Sequence, residues 1–257
     1  MKPDQLPLAM RWPQQQRFDG YLIGDNGAAV DLLQRAANAT DAVWVFLNGA
    51  PASGKTHLLI AACAEAGEHG RSAQYISLRN LPQRIDTTDA VRAAQDELPR
   101  AIRASHEELP RALRALGGSD LLAIDDLDAI AGNRAAEHAL FDLYNRCKVE
   151  KETMLFGAAQ APAQLGLTLP DLVSRLAACT QVILKPLDED GRRAVLVQRA
   201  VARGLTLDAA VLDWLFAHHA RDLRSLTALL EHIDKAALAA QRRVTVPFLR
   251  NLLGADS

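Results

Sequence analysis

Several things are scarce in this sequence, and each scarcity excludes a class. The 257 residues include three cysteines, Cys63, Cys147 and Cys179, far apart and with no CxxC pair. That spacing excludes a disulfide scaffold or a zinc ribbon and suits a reducing compartment. No run reaches 18 apolar residues, so no membrane span is expected, and the N-terminus lacks the charged-then-apolar signal pattern. The expected location is therefore the cytoplasm. Excess charge is missing too. With 29 Lys+Arg against 31 Asp+Glu the net charge is −2, which argues against a surface coated for nucleic acid. No HxxxH or Cys/His spacing suggests a metal cluster of its own. What remains is ordinary globular composition, 49% hydrophobic and 23% charged. The length suits one large domain, or one domain plus a small one.

Residues 1–16 hold Pro3, Pro7 and Pro13 and a Gln14–Gln16 run and read as a flexible tail. From Phe18 the pattern alternates. Short apolar runs at Val43–Leu47, Gln74–Leu78, Leu121–Ile124, Met154–Ala158 and Gln181–Leu184 read as strands buried on both faces. Helical patterns separate them at Ala28–Ala37, His57–Glu68, Val91–Leu116 in pieces, and Ala135–Glu150. Alternation of this kind predicts an α/β domain, a five-stranded parallel sheet with flanking helices. After Pro186 only helices are expected, over 189–203, 208–219, 222–241 and 247–253. We therefore expect an α/β domain over 17–186 and a small all-helical lid over 187–257. The segment Glu97–Ala104 recurs as Glu108–Ala115 at an offset of 11, a local duplication too short for a solenoid.

The chemistry is concentrated in two places. Gly49-Ala50-Pro51-Ala52-Ser53-Gly54-Lys55-Thr56 matches GxxxxGK[ST] between a strand and a helix, the context that gives this motif its meaning. Glycines let backbone N–H groups approach phosphates. The following helix N-terminus adds partial positive charge. Lys55 is expected to reach the outer phosphates and Thr56 to offer its hydroxyl to Mg²⁺. The bland alternative is a Gly/Ser turn with a surface lysine. The second place is Leu121-Leu122-Ala123-Ile124-Asp125-Asp126. Asp125 is the metal-side candidate and Asp126 the candidate to orient an attacking water. Acids after strands are also often helix caps. His57 is expected at the start of the helix surface, and Cys63 reads as core rather than nucleophile.

Together these predict a P-loop NTPase, and the rest of the chain resembles the AAA+ ATPases. It is most similar to the branch formed by the bacterial replication initiator DnaA and its Hda-type regulatory inactivators. Phe18–Asn26, containing Ile23, resembles the segment that packs on adenine. Phe141–Arg146 and Leu169–Leu176 resemble the inactivators, and Gln5–Met10 resembles a QLxLxx-type sliding-clamp motif. The resemblance implies ADP or ATP with Mg²⁺, held at Gly49, Ser53, Gly54, Lys55, Thr56, Ile23 and Arg221 between the α/β domain and the lid. It implies that Arg175 is an arginine finger acting in trans on ATP bound to DnaA. It also implies that Gln5, Leu6, Leu8 and Met10 dock on the DNA polymerase III sliding clamp. From the residues alone, Arg175 reads as a structural arginine pairing with Asp171, and Arg221 and Arg224 as solvated helix arginines. Gly157-Ala158-Ala159-Gln160 departs from the pattern: Ala159 stands where initiators carry a polar sensor residue, which puts the chain's own ATP hydrolysis in doubt. Ending at Ser257, the chain offers no room for an initiator's helix-turn-helix, so direct sequence-specific DNA binding is not expected. Self-association is left open. Two other readings stay open: a self-sufficient AAA+ ATPase or helicase-loader-type module turning over its own ATP, and, more remotely, a small-molecule P-loop kinase.

Overall fold

In the computed structural model the described residues are 12–13, 16–80, 108–219 and 222–254. Helix α1 (Gly27–Asn38) precedes strand β1 (Trp44–Gly49), and α2 (Lys55–Glu68) leads to β2 (Ala73–Ser77). A helix over 108–115, α3, precedes β3 (Leu121–Asp125). Then follow α4 (Arg134–Glu150), β4 (Thr153–Ala158), α5 (Pro170–Ala177) and β5 (Thr180–Leu184). Four helices close the chain: α6 (Glu189–Ala202), α7 (Ala209–His218), α8 (Leu223–Ala240) and α9 (Val246–Leu253). All five expected strands are present. Helix α5 was not among the helices read from periodicity, since eight residues opening on proline give too little of a 3.6-residue pattern.

The strands form one parallel sheet in the order β2-β3-β4-β1-β5. Register pairs Phe46 with Phe156 and Gln181, and Ser77 with Asp125. Alternate side chains serve opposite faces. Phe46, Leu122, Ile124, Met154 and Phe156 pack with α4 and α5, whereas Val45, Leu47, Leu121, Ala123 and Leu155 pack with α1 and α2. The expectation of strands buried on both faces holds for the interior ones, where β3 and β4 are buried throughout. It fails at the rims. β2 is half-buried along its length, and in β5 Thr180, Gln181 and Ile183 are exposed. Edge strands lack a neighbour on one side, so an apolar run there does not require burial on both faces.

The chain divides into two compact units. One holds the sheet and its helices and ends at Leu184. The other begins at Lys185, holds α6–α9, and includes the short pieces Leu22–Asp25 and Pro51–Ser53. Within it, Leu196, Val211, Trp214, Leu215, Leu230 and Ile233 form a separate core. Each of its helices starts on a side-chain cap: Asp188, Asp208, Asp222 and Thr245 accept from the N–H of Gly191, Val211, Ser225 and Phe248. Such caps are worth about 1 kcal/mol each and fix where a helix begins. No described helix is long and apolar enough to cross a membrane.

Candidate functional site

The P-loop leaves the sheet at Gly49, the last residue of β1. Its backbone turns twice through the left-handed region, at Ala52 (φ 62°) and Gly54 (φ 94°). A Cβ on Gly54 would stand 2.5 Å from the Tyr21 ring, so glycine is required there by space as well as by φ. Ser53 is buried. Gly54 is the N-cap of α2 and contributes no side-chain cap. The helices after Lys185, and α4 through Asn133 and the N–H of Ala136, all start on such caps. The start of α2 therefore presents its helix dipole to the P-loop without a capping side chain from Gly54. Lys55 folds back and donates to the carbonyls of Gly49 (2.6 Å) and Ala50 (3.0 Å). Burial lowers its pKa, opposed by the carboxylates of Asp125, Asp128 and Asp126, with Arg79 adding to the lowering.

Asp125 ends β3 beside the P-loop helix. The Thr56 hydroxyl donates to its Oδ2 (2.5 Å), as does the Tyr75 hydroxyl (3.2 Å), and the Asp126 N–H donates to its Oδ1 (2.9 Å). Burial pushes the Asp125 carboxyl above the ordinary range; the Thr56 bond pulls it back and the Asp126 charge pushes it further up. Gly157 on β4 makes room for it. A Cβ there would lie 2.4 Å from Asp125 Oδ1 and 2.8 Å from Leu59 Cδ1. Thr56 and Asp125 bring two hard oxygen atoms together, the ligand type that a divalent ion such as Mg²⁺ takes. Among the described residues no group of three or more His, Cys, Asp or Glu could hold a metal alone.

Asp126 adopts the left-handed conformation (φ 59°, ψ 44°), which aspartate tolerates better than most residues. The Ser77 hydroxyl donates to its Oδ2 (2.7 Å), and Arg79 stands 3.8 Å from its Oδ1. Arg79 also pairs with Asp128. Asp128 Oδ1 accepts the N–H of Ala159 at 3.0 Å, so the position expected to carry a polar sensor contributes only backbone. Sequence reading missed Tyr75, Ser77, Arg79 and Asp128, and took in Tyr21 only as part of Phe18–Asn26. None belongs to the two motifs; the register of β2 against β3 brings Tyr75 and Ser77 to the acids.

Ile23 is 47% exposed. Arg221 and Gln5, Leu6, Leu8 and Met10 fall outside the described residues, and so does the duplicated segment before residue 108. His57 is not simply helix surface: its ring lies 5.4 Å from that of Tyr21 and its Nε2 is 2.7 Å from the Arg17 carbonyl. All three cysteines are buried and unpaired, and burial pushes the Cys63 thiol up.

Arg175 sits on α5, half-buried, with its guanidinium carbon 5.9 Å from the centroid of the Tyr144 ring. The pairing with Asp171 that the residues alone suggested does not form: among the described residues Arg175 has no carboxylate within salt-bridge distance. The Tyr144 ring rests on Trp44, centroids 4.3 Å apart. Trp44 opens β1 and Gly49 closes it. Arg175 therefore contacts the aromatic pair at the opening of β1, and the P-loop leaves from its other end.

Comparison with known proteins agrees with this architecture. The sequence model of the bacterial DnaA ATPase domain matches residues 13–182, and that of the Hda lid domain matches residues 188–253. Domain III of the Thermotoga maritima replication initiation protein DnaA aligns over 95% of this chain and 98% of its own, with a TM-score of 0.72 and 20% identity. AMPPCP-bound DnaA from Aquifex aeolicus aligns over 88% of this chain and 67% of its own, at 0.62 and 21%. The Thermotoga maritima RuvB branch-migration motor shares the fold at 0.62 and 17% identity, over 95% of this chain and 72% of its own. By fold, by phosphate loop and by these matches, the chain belongs to the bacterial DnaA ATPase domain family of AAA+ proteins and carries an Hda-type lid.

Proposed function

We propose that this protein is a negative regulator of replication initiation that stimulates hydrolysis of ATP bound to DnaA. The observation that carries this reading is the station of Arg175. A catalytic arginine for the chain's own nucleotide would stand near the P-loop. This one rests on Tyr144 at the far end of β1, with no carboxylate to neutralise it among the described residues. A guanidinium keeps its charge and spreads it over a planar fork suited to a developing phosphoryl charge. Supplied in trans, such a group raises hydrolysis about 10³–10⁵-fold.

The chain's own site holds an adenine nucleotide, ADP in the working state, through the P-loop N–H groups, Lys55, Ile23 and Arg221. Mg²⁺ is held by Thr56 and Asp125 and neutralises phosphate charge when bound. DnaA structures that hold AMPPCP support the ligand class. Asp126 is the water-orienting candidate, but Ser77 and Arg79 engage it and Ala159 offers no polar side chain. These features favour holding nucleotide over turning it over. Residues 5–10 provide clamp docking, through Gln5 as a hydrogen-bonding group and Leu6, Leu8 and Met10 as apolar anchors.

The test is phosphate release from ATP-bound DnaA with this protein, with and without sliding clamp loaded on DNA. Stimulation that needs the loaded clamp and disappears in Arg175→Ala supports the reading. Full stimulation by Arg175→Ala removes the finger assignment. No stimulation, together with steady ATP turnover by this chain alone, favours the self-sufficient ATPase.

A further inference from the structure

Glu137 takes no part in the phosphate site, yet it is wholly buried in the first turn of α4. A buried carboxylate is costly unless donors surround it. Glu137 has four: the N–H of Gly132 donates to Oε1 (3.0 Å), while the N–H of Thr168 (2.8 Å), the Thr168 hydroxyl (2.9 Å) and the N–H of Leu169 (2.8 Å) donate to Oε2. Leu169 is the residue from which α5 starts, Pro170 follows it, and no side chain within α5 caps the helix. The carboxylate therefore stands beside two helix starts together, that of α4 and that of α5, where both helix dipoles favour an anion.

Seven residues further along α4, on the same face, Tyr144 meets α5 again. Its hydroxyl donates to the Arg175 carbonyl (3.4 Å) and its ring lies beneath the guanidinium. Glu137 to Tyr144 is about 10.5 Å of helix rise and Leu169 to Arg175 about 9 Å, so the two attachments match in spacing. Leu172 and Leu176 bury α5 against the core, but apolar contact is non-directional. Directional hydrogen bonds at the start of α5 set its position along its axis.

We propose that Glu137 is a positioning residue for Arg175. It anchors residues 168–169 and so fixes the depth and rotation at which α5 presents the guanidinium over Tyr144. This rests on the reading of Arg175 as the group delivered to ATP on DnaA.

Glu137→Gln keeps the shape but not the four acceptor positions. If the amide oxygen faces Thr168 and Leu169, the amide N–H₂ faces the N–H of Gly132. Thr168 is exposed, so Thr168→Val removes one donor without touching the core. Both are assayed in the full chain with ATP-bound DnaA and loaded clamp, beside Arg175→Ala, and amide hydrogen exchange is followed in parallel. Misplacement of a reacting group by 1 Å can cost about 10²-fold, so a loosened α5 is expected to lower maximal stimulation about tenfold for Glu137→Gln and about twofold for Thr168→Val. The half-saturating concentration and nucleotide affinity should hold within about twofold, with faster exchange confined to residues 166–172.

Full stimulation by Glu137→Gln while Arg175→Ala is inactive overturns the proposal and leaves the finger reading standing. A loss shared by nucleotide affinity overturns it as well, since that marks general unfolding. If Arg175→Ala stimulates fully, the finger reading falls and exchange decides: unchanged protection at 166–172 in Glu137→Gln overturns positioning, and localised loss sustains it. Should Glu137→Gln not fold, Thr168→Val decides by the same stimulation and exchange readouts.

Discussion

The two ends of the sheet treat charge in opposite ways. At the carboxyl ends of β1 and β3, Lys55, Arg79, Asp125, Asp126 and Asp128 interact closely, every carboxylate with a hydroxyl, an N–H or a guanidinium. At the opening of β1, Arg175 lies on an aromatic ring with no carboxylate paired to it among the described residues. A site that must receive phosphate and a metal needs opposed charges held ready and an uncapped helix start. A group that must act on another molecule needs its charge left unneutralised and its backbone held firm. The difference teaches that one sheet can gather opposed charges at one end and, among the described residues, leave a guanidinium without a carboxylate at the other.

The largest expected effect breaks the outward end. Arg175→Ala should lose at least about 10³-fold in stimulated hydrolysis on DnaA, measured as single-turnover phosphate release, while nucleotide binding by this chain stays intact. Arg175→Lys sharpens the point. It keeps charge but loses the planar fork, and most of the loss should remain. The inward end breaks at Lys55→Ala, which on the proposed reading removes a charged hydrogen bond worth about 1.5–3 kcal/mol to phosphate; nucleotide affinity by calorimetry should fall about 10–150-fold. Gly157→Ala should destabilise by about 1–3 kcal/mol, seen as a lower denaturation midpoint, because the new methyl meets Asp125 and Leu59 at sub-contact distance.

The smallest effect concerns pH. The folded-state pKa of Asp125 is raised, chiefly by burial, so its contribution to stability is fully present below its unfolded value of about 3.9 and is lost as pH rises through the folded value. Asp125→Asn cannot titrate. Compared with it, the nucleotide-free wild type should lose relative stability as pH rises through the acid range and level off above it. A difference that grows with pH would show that hydrogen bonds from Thr56, Tyr75 and Asp126 outweigh burial.

These regions also differ in how far they were legible. The P-loop and Asp125-Asp126 could be found in sequence because their residues are contiguous and their chemistry demands glycine, lysine, hydroxyl and carboxylate in a fixed order. The caps Asp188, Asp208, Asp222 and Thr245 are local in the same way. The interior strands were legible because burial on both faces forces continuous apolar runs, and the rim strands showed that such a run does not report burial by itself. Arg175 carried no such local signal. Its expected partner one turn away, Asp171, proved irrelevant, and its true neighbour is Tyr144, 31 residues earlier.

The sequence by itself determined the alternating α/β order, the helical unit after Lys185 and the phosphate-binding loop, since periodicity and motif spacing act over a few residues. Only the tertiary structure decided which polar groups meet. It placed Tyr75 and Ser77 against the acids through strand register and set Glu137 at the start of two helices. It laid Arg175 on Tyr144 at the far end of the sheet from the P-loop. Such pairings depend on which strands are neighbours and on where helices cross, and no spacing along the chain encodes either.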